Sequence, residues 1–380
     1  MIHSGNAATK HHAAGGMRVL SFETSAKLQL ASGEAVAPLT VAFETYGALN
    51  GARNNAVLVC HDILRDQFVA SPNPVTGRPP WWARIVGAGR PIDTNRLFVI
   101  CANVLGGAMG TTGPGSIAHD GRPYGLRFPQ ITIADTVRAQ AMLVEALDIP
   151  GLFLVIGAGL GGMQALNWAS AYPKRVFACA TVASAPRQNA HNIAFSELGR
   201  QAIMADPDWR GGAYYSQGVR PAKGLAVARA GLHMASQAEP AVRRLFEAAR
   251  VAQRFGFAIE QQQNFIDRLD ANSFLYLSRA MDAFDLSADF GGRLANAFQG
   301  SATRHGVFAF SSDWRYPPEE SRVIARALIA AGADAAYVEI DSDKGSDAYL
   351  GEEPAFEAAL TGFIDGAAAA RGIALQAGAG

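Results

Sequence analysis

Between Phe153 and Trp168 the chain reads Phe-Leu-Val-Ile-Gly-Ala-Gly-Leu-Gly-Gly-Met-Gln-Ala-Leu-Asn-Trp, an apolar run, a glycine-rich turn and the start of a helix. Two chemistries use such a turn. In one, Gly-x-Ser-x-Gly holds a nucleophilic serine on a sharp bend at the end of a strand. The central position of this chain is Gly159, which has no side chain to attack with. In the other, Gly157, Gly159 and Gly162 satisfy Gly-x-Gly-x-x-Gly, whose amides at a helix N-terminus cradle a pyrophosphate. That pattern expects a ribose-binding carboxylate about 20 residues on, at the end of the next strand. The chain there reads Thr181-Val-Ala-Ser-Ala-Pro-Arg187, with no acid, although Arg187 suits a 2′-phosphate. An NAD(P)-binding oxidoreductase is therefore one alternative reading.

The elements around the turn alternate as a parallel sheet requires. Strand-like alternation runs through Leu39-Thr-Val-Ala-Phe-Glu-Thr-Tyr46, and the apolar run Ala56-Val-Leu-Val-Cys60 reads as a buried parallel strand. Ligands bind beyond the C-terminal ends of such strands, which makes His61-Asp-Ile-Leu-Arg-Asp66 a candidate site loop. A further strand, Leu97–Asn103, runs into Gly106–Gly115, a glycine-rich stretch read as a surface crossover. Thr132–Leu147 carries apolar residues at helical spacing and feeds the strand before the turn. After Ala178–Ala183 the strand signal stops until Val307–Phe310. The interval is rich in amphipathic, aromatic and arginine-bearing helical stretches. A helix over Pro317–Ala331, a strand over Ala336–Ile340 and a helix around Pro354–Gly372 complete the pattern. The reading is an N-terminal flexible arm over 1–16, an α/β core over 17–185 and 300–380, and a helical lid over 186–299.

Composition excludes several classes. With 380 residues, 49% of them hydrophobic and 17% charged, the chain can bury a large core. Its formal net charge is +0, and without a long basic run it offers a nucleic-acid backbone no electrostatic footprint. No stretch approaches the ~18 uninterrupted apolar residues of a membrane span, and the first residues lack the apolar segment of a signal peptide. Cys60, Cys101 and Cys179 each sit in an apolar run, as small core residues of a reducing compartment do, so a cytoplasmic location is expected. His3, His11 and His12 lie on the arm, where no fixed geometry would hold a metal, and no metal site is expected.

Several segments together resemble the homoserine O-acetyltransferases. They are Val57-Leu-Val-Cys-His61, Asn103-Val-Leu-Gly-Gly107 with Thr112-Gly-Pro114, Arg138-Ala-Gln140, Gly161-Gly-Met-Gln-Ala-Leu166, Asn192-Ile-Ala-Phe195, Asp206-Pro-Asp-Trp-Arg-Gly-Gly212, Asp270-Ala-Asn-Ser273 and Ser312-Asp-Trp-Arg-Tyr-Pro-Pro318. The resemblance runs from Phe43 to Phe363. It implies an α/β-hydrolase fold, a mostly parallel sheet flanked by helices with an inserted helical lid. It also implies transfer of an acetyl group from acetyl-CoA to an amino-acid hydroxyl, with no bound cofactor but an acyl-CoA as co-substrate, and a homodimer.

By the same resemblance, a serine, an aspartate and a histidine in that chain order should form a catalytic triad. Asp313 fits the aspartate. The serine position is Gly159, and the histidine expected in a Gly-His-Asp triplet is replaced in Gly345-Ser346-Asp347. Ile63 and Leu160 fall where oxyanion-hole amides are expected. Arg229 falls where the family's lid arginine binds the amino-acid carboxylate, and Asp347 where a carboxylate meets the substrate amine. A tyrosine expected shortly after Arg229 is absent from His233-Met-Ala-Ser236. His61 reads as a positioned loop residue, and His191 and His233 as structural histidines of the lid. Ser346 as a nucleophile would lack a base. The expectation is a family member that has lost covalent acyl transfer and keeps a lidded small-ligand pocket. The alternative within the class is residual, non-covalent acyl-CoA-dependent transfer or hydrolysis. On this reading, restoring a serine at 159 and a histidine at 346 would rebuild the triad with Asp313.

Overall fold

Apolar runs of four to seven residues bounded by turn residues build the centre of the molecule. The computed structural model describes residues 8–12, 18–23, 25–251 and 267–374. Nine strands form one sheet: β1 Ala8–His12, β2 Arg18–Phe22, β3 Thr40–Tyr46, β4 Ala56–Cys60, β5 Phe98–Ala102, β6 Leu152–Ala158, β7 Val176–Val182, β8 Arg304–Phe310 and β9 Ala335–Ile340. Their spatial order is β1-β2-β3-β5-β4-β6-β7-β8-β9. The first three strands join antiparallel, and every pairing from β5 to β9 is parallel. Strands β4 and β6 are buried at every residue, as strands covered on both faces must be.

The chain winds from β4 one way to β5 and the other way to β6. The crevice at such a reversal, beyond the strands' C-terminal ends, is where open α/β sheets hold ligands. One face of the sheet is covered by α1 (Ile133–Ala146) and α2 (Leu160–Ala171). The other is covered by the C-terminal helix Pro354–Arg371, which inserts Phe356, Leu360 and Ile364. Thr132 starts α1 with a reciprocal capping box, its hydroxyl accepting the Asp135 amide at 3.2 Å while the Asp135 carboxylate accepts the Thr132 amide at 2.8 Å. The helix of Pro318–Ala330 precedes β9. All three cysteines are buried and free, and burial raises their thiol pKa values, that of Cys179 to about 12.

Two expectations are corrected. Ala8–His12, read as part of a flexible arm, is an edge strand paired residue by residue with Arg18–Phe22. Its sequence, Ala-Thr-Lys-His-His, has no apolar face, so main-chain pairing rather than patterning puts it there. Gly106–Gly115 is not a surface crossover. Thr111 and Thr112 are buried, and their hydroxyls accept the Ala42 and Thr40 amides at 3.0 and 2.8 Å, stitching the loop to β3.

Between β7 and β8 the described residues are helical: α3 (Ala190–Ala205), α4 (Ala222–Ala235), α5 (Glu239–Val251) and α6 (Ala271–Asp282), with short 3-10 turns. They dock over the crevice through polar contacts. The Trp314 indole donates to the Gln237 carbonyl at 2.8 Å, and the Asn189 and Asn192 amides both donate to the Arg315 carbonyl at 2.9 Å. Among the described residues no helix is long and apolar enough to cross a membrane.

Candidate functional site

The turn between β6 and α2 has the geometry of an elbow. Gly159 sits at φ 54°, ψ −119°, a region that residues with a Cβ adopt only at a cost. Gly161 answers a different demand, since a Cβ there would lie 2.0 Å from the Cys60 carbonyl oxygen. Close approach of main chain from β4, β6 and α2 therefore accounts for glycines that sequence alone allows to be read as a pyrophosphate cradle. Arg187, offered for a 2′-phosphate, is exposed, and its main chain forms an isolated antiparallel bridge with that of Asp285.

The loop after β4 is held against that turn by a chain of buried amides. Gln140 on α1 accepts the Trp168 indole N–H at 2.8 Å and donates to Gln164 at 2.7 Å, and Gln164 donates to the His61 carbonyl at 3.2 Å. His61 Nε2 lies 3.1 Å from the Val104 amide and accepts from it, which leaves Nδ1 protonated to donate to the Asp62 carbonyl at 2.9 Å. Burial lowers the His61 pKa, so the ring is neutral. The positioned-loop role expected of His61 matches these contacts.

Asp62, next in the chain, was not singled out by sequence. Its Oδ1 accepts the Leu160 amide at 3.0 Å, the donor expected to face an oxyanion. Its Oδ2 lies 4.0 Å from Arg315 Nη1. A Cβ on residue 159 would stand 2.8 Å from Asp62 Oδ1 and 3.6 Å from the Tyr316 ring. The carboxylate thus occupies space that a side chain at 159 would need. Arg315 is itself buried and donates to the Ser236 hydroxyl at 2.9 Å. Burial works against its charge, but Tyr316, Asp62, Asp347 and Asp313 outweigh it and hold the guanidinium protonated.

Asp313 follows β8 and faces the same crevice. Its Oδ1 accepts the Arg315 and Tyr316 amides at 2.9 Å each and the Ser346 hydroxyl at 2.5 Å. Its Oδ2 is buried and has no hydrogen-bond partner among the described residues. Burial pushes the carboxyl pKa up to about 6, against the opposing effects of Ser346, the two amides and Arg315. Ser346 therefore stands on the aspartate where an imidazole was expected.

On the lid side, Arg229 on α4 is buried, and burial together with the nearby Arg65 and Arg268 lowers its pKa to about 10. Asp347 accepts from the Gln237 side chain at 2.7 Å and lies 3.5 Å from His233 Nδ1, so it joins sheet to lid. His191 is exposed on α3. A small cleft of about 20 Å³ lies under the lid, lined by His61, Ile63, Arg65, Asn103, Arg268 and Phe274 among others. Among the described residues no group of three His, Cys, Asp or Glu could hold a metal. Asp62 and Arg65 were within the loop His61–Asp66 chosen as a candidate, and Arg315 within Ser312–Pro318. The available signal was a charged residue at each of these positions.

The family model for the alpha/beta hydrolase fold matches residues 69–278. A homoserine O-acetyltransferase of Mesorhizobium japonicum is 52% identical over 368 residues, 93% of this chain and 95% of that protein. One of Caulobacter vibrioides is 53% identical over 365 residues, covering 93% and 96%. The crystal structure of homoserine O-acetyltransferase from Bacillus anthracis superposes with a TM-score of 0.81 at 26% identity, covering 94% of this chain and 98% of that one. On this likeness in sequence and architecture, the chain belongs to the homoserine O-acetyltransferase family, built on the α/β-hydrolase fold.

Proposed function

We propose that this protein binds a small amino-acid-like or acyl ligand beneath its lid and does not carry out covalent acyl transfer. The observation that carries this reading is the Asp62 carboxylate on the Leu160 amide beside Gly159. Covalent transfer needs a nucleophile, a base to take its proton and donors for the oxyanion. At the corresponding positions stand a glycine, a serine hydroxyl that is no base near neutral pH, and an amide already engaged by a carboxylate. Direct attack by a substrate hydroxyl on an acyl-CoA would require that same amide, so Asp62 disfavours the residual-transfer reading too. A negative charge beside the hole also opposes the developing oxyanion.

The ligand side of the family's site is intact in residue type. Arg229 presents a planar guanidinium suited to a carboxylate, and Asp347 a partner for an amine. Calorimetry with homoserine and with acetyl-CoA, on wild type and Arg229→Ala, tests the reading. Saturable binding of homoserine weakened by roughly tenfold or more in the variant is expected, corresponding to at least ~1.4 kcal/mol. No binding, or binding indifferent to Arg229, contradicts it.

A further inference from the structure

We propose that a second cleft, at the end of the sheet opposite the elbow, binds a small phosphate monoester, its dianionic phosphoryl group held by Lys174 and Arg371. Leu152 and Val176, the first residues of β6 and β7, line this cleft, whereas Gly159 follows the last residue of β6. The strand between them is 7 residues long. At ~3.3 Å per residue that puts the two places about 20 Å apart. The site therefore stands apart from the lid, and neither reading depends on the other. The cleft encloses about 470 Å³, within the range of small-molecule sites, and Gly151, Gly300 and Ala302 line it with little or no side chain.

Its charged lining is of one sign. Lys174, Arg175 and Arg371 line it, and no Asp or Glu does. Arg175 is matched by Glu145 at 2.7 Å. Beyond the lining, Arg304 is matched by Asp334 at 3.0 Å, and Asp148 by Arg53, which donates to the Asp148 carbonyl at 2.7 Å. Lys174 and Arg371 are exposed, and neither has a carboxylate within 4.0 Å among the described residues. Two cations on a convex surface would be solvated and bind an anion weakly. A concave wall of low dielectric focuses their field instead, and Leu152, Val176 and Phe177 supply that wall. The guanidinium of Arg371 lies 4.8 Å over the Phe177 ring, and that of Arg175 lies 5.5 Å from the Tyr172 ring. Stacking fixes the plane of a guanidinium and leaves its edge N–H groups for oxygens in that plane, so less freedom is lost on binding. A phosphoryl group carries close to two negative charges near neutral pH and three acceptor oxygens on one phosphorus. It can meet the compact charge of a lysine and the fork of an arginine together.

The test is calorimetry on the full-length protein at pH ~7.5, where a phosphate monoester is mostly dianionic, and at fixed ionic strength, with glycerol 3-phosphate, glycerate and malate. Glycerol 3-phosphate should bind saturably and about tenfold or more tightly than glycerate, a monoanion of similar body. Lys174→Gln and Arg371→Gln should each weaken it by about tenfold, and Lys174→Gln should leave the response to homoserine unchanged. Absence of glycerol 3-phosphate binding to wild type, or affinity equal to that of glycerate, overturns the proposal without recourse to any variant. Malate binding as tightly as glycerol 3-phosphate replaces the phosphoryl group by a pair of carboxylates and overturns it as well. So does undiminished glycerol 3-phosphate binding in a folded Lys174→Gln, Arg371→Gln double variant.

Discussion

Asp62 Oδ1 stands 2.8 Å from the point where a Cβ on residue 159 would lie, so Gly159 and Asp62 share one volume. The two residues are coupled sterically as well as through the Leu160 amide. Gly159→Ala should lower stability by about 1–3 kcal/mol, from the backbone region it must occupy and from the displaced carboxylate. In an Asp62→Ala background the steric part disappears. A double-mutant cycle by urea denaturation should show a coupling of about 0.5 kcal/mol or more, and strictly additive effects would contradict the shared volume.

The same contact changes what is needed to rebuild the triad. Gly159→Ser with Ser346→His supplies a nucleophile and a base beside Asp313 but leaves Asp62 against the new serine and on the Leu160 amide. The pair should therefore stay inactive, and the triple change adding Asp62→Ala should be the first to release CoA from acetyl-CoA with homoserine. Triad residues act as a unit, so the gain should be strongly non-additive. Activity in the pair equal to that of the triple would show that Asp62 is no obstacle.

The buried carboxyl of Asp313 gives a pH signature. Its folded pKa, about 6, lies above the ordinary value of 3.8, so between these values the folded protein binds a proton that the unfolded chain has released. The folded state is thus favoured below about pH 4, and this contribution is lost as pH rises through about 6. Its size is of order 3 kcal/mol at most, from about 1.4 kcal/mol per pKa unit. Denaturation curves at pH 4 and pH 7 for wild type and Asp313→Asn should differ accordingly, with wild type losing more stability on the way up. An equal pH dependence in both proteins would refute the raised pKa.

Much of the architecture was legible because its signals are local. The run before Gly159 and the apolar spacing of Thr132–Leu147 each announce an element within a few residues. The glycine at 159 and the serine at 346 were legible for the same reason, as single positions inside fixed motifs. Asp62 was not, because its meaning depends on Leu160 and Arg315, far away in sequence. The strand Ala8–His12 escaped notice because an edge strand can be held by main-chain bonds, whatever its side chains.

The central claim, a family member that binds without acylating, is tested most directly by incubating the protein with acetyl-CoA and homoserine and following CoA release, with intact mass read for an acetyl adduct. Loss of a triad serine or histidine costs on the order of 10⁶ in kcat, so the account predicts release at background and no adduct. Turnover near ~1 s⁻¹, within about tenfold of a median enzyme, or a stoichiometric acetyl-protein, would contradict it.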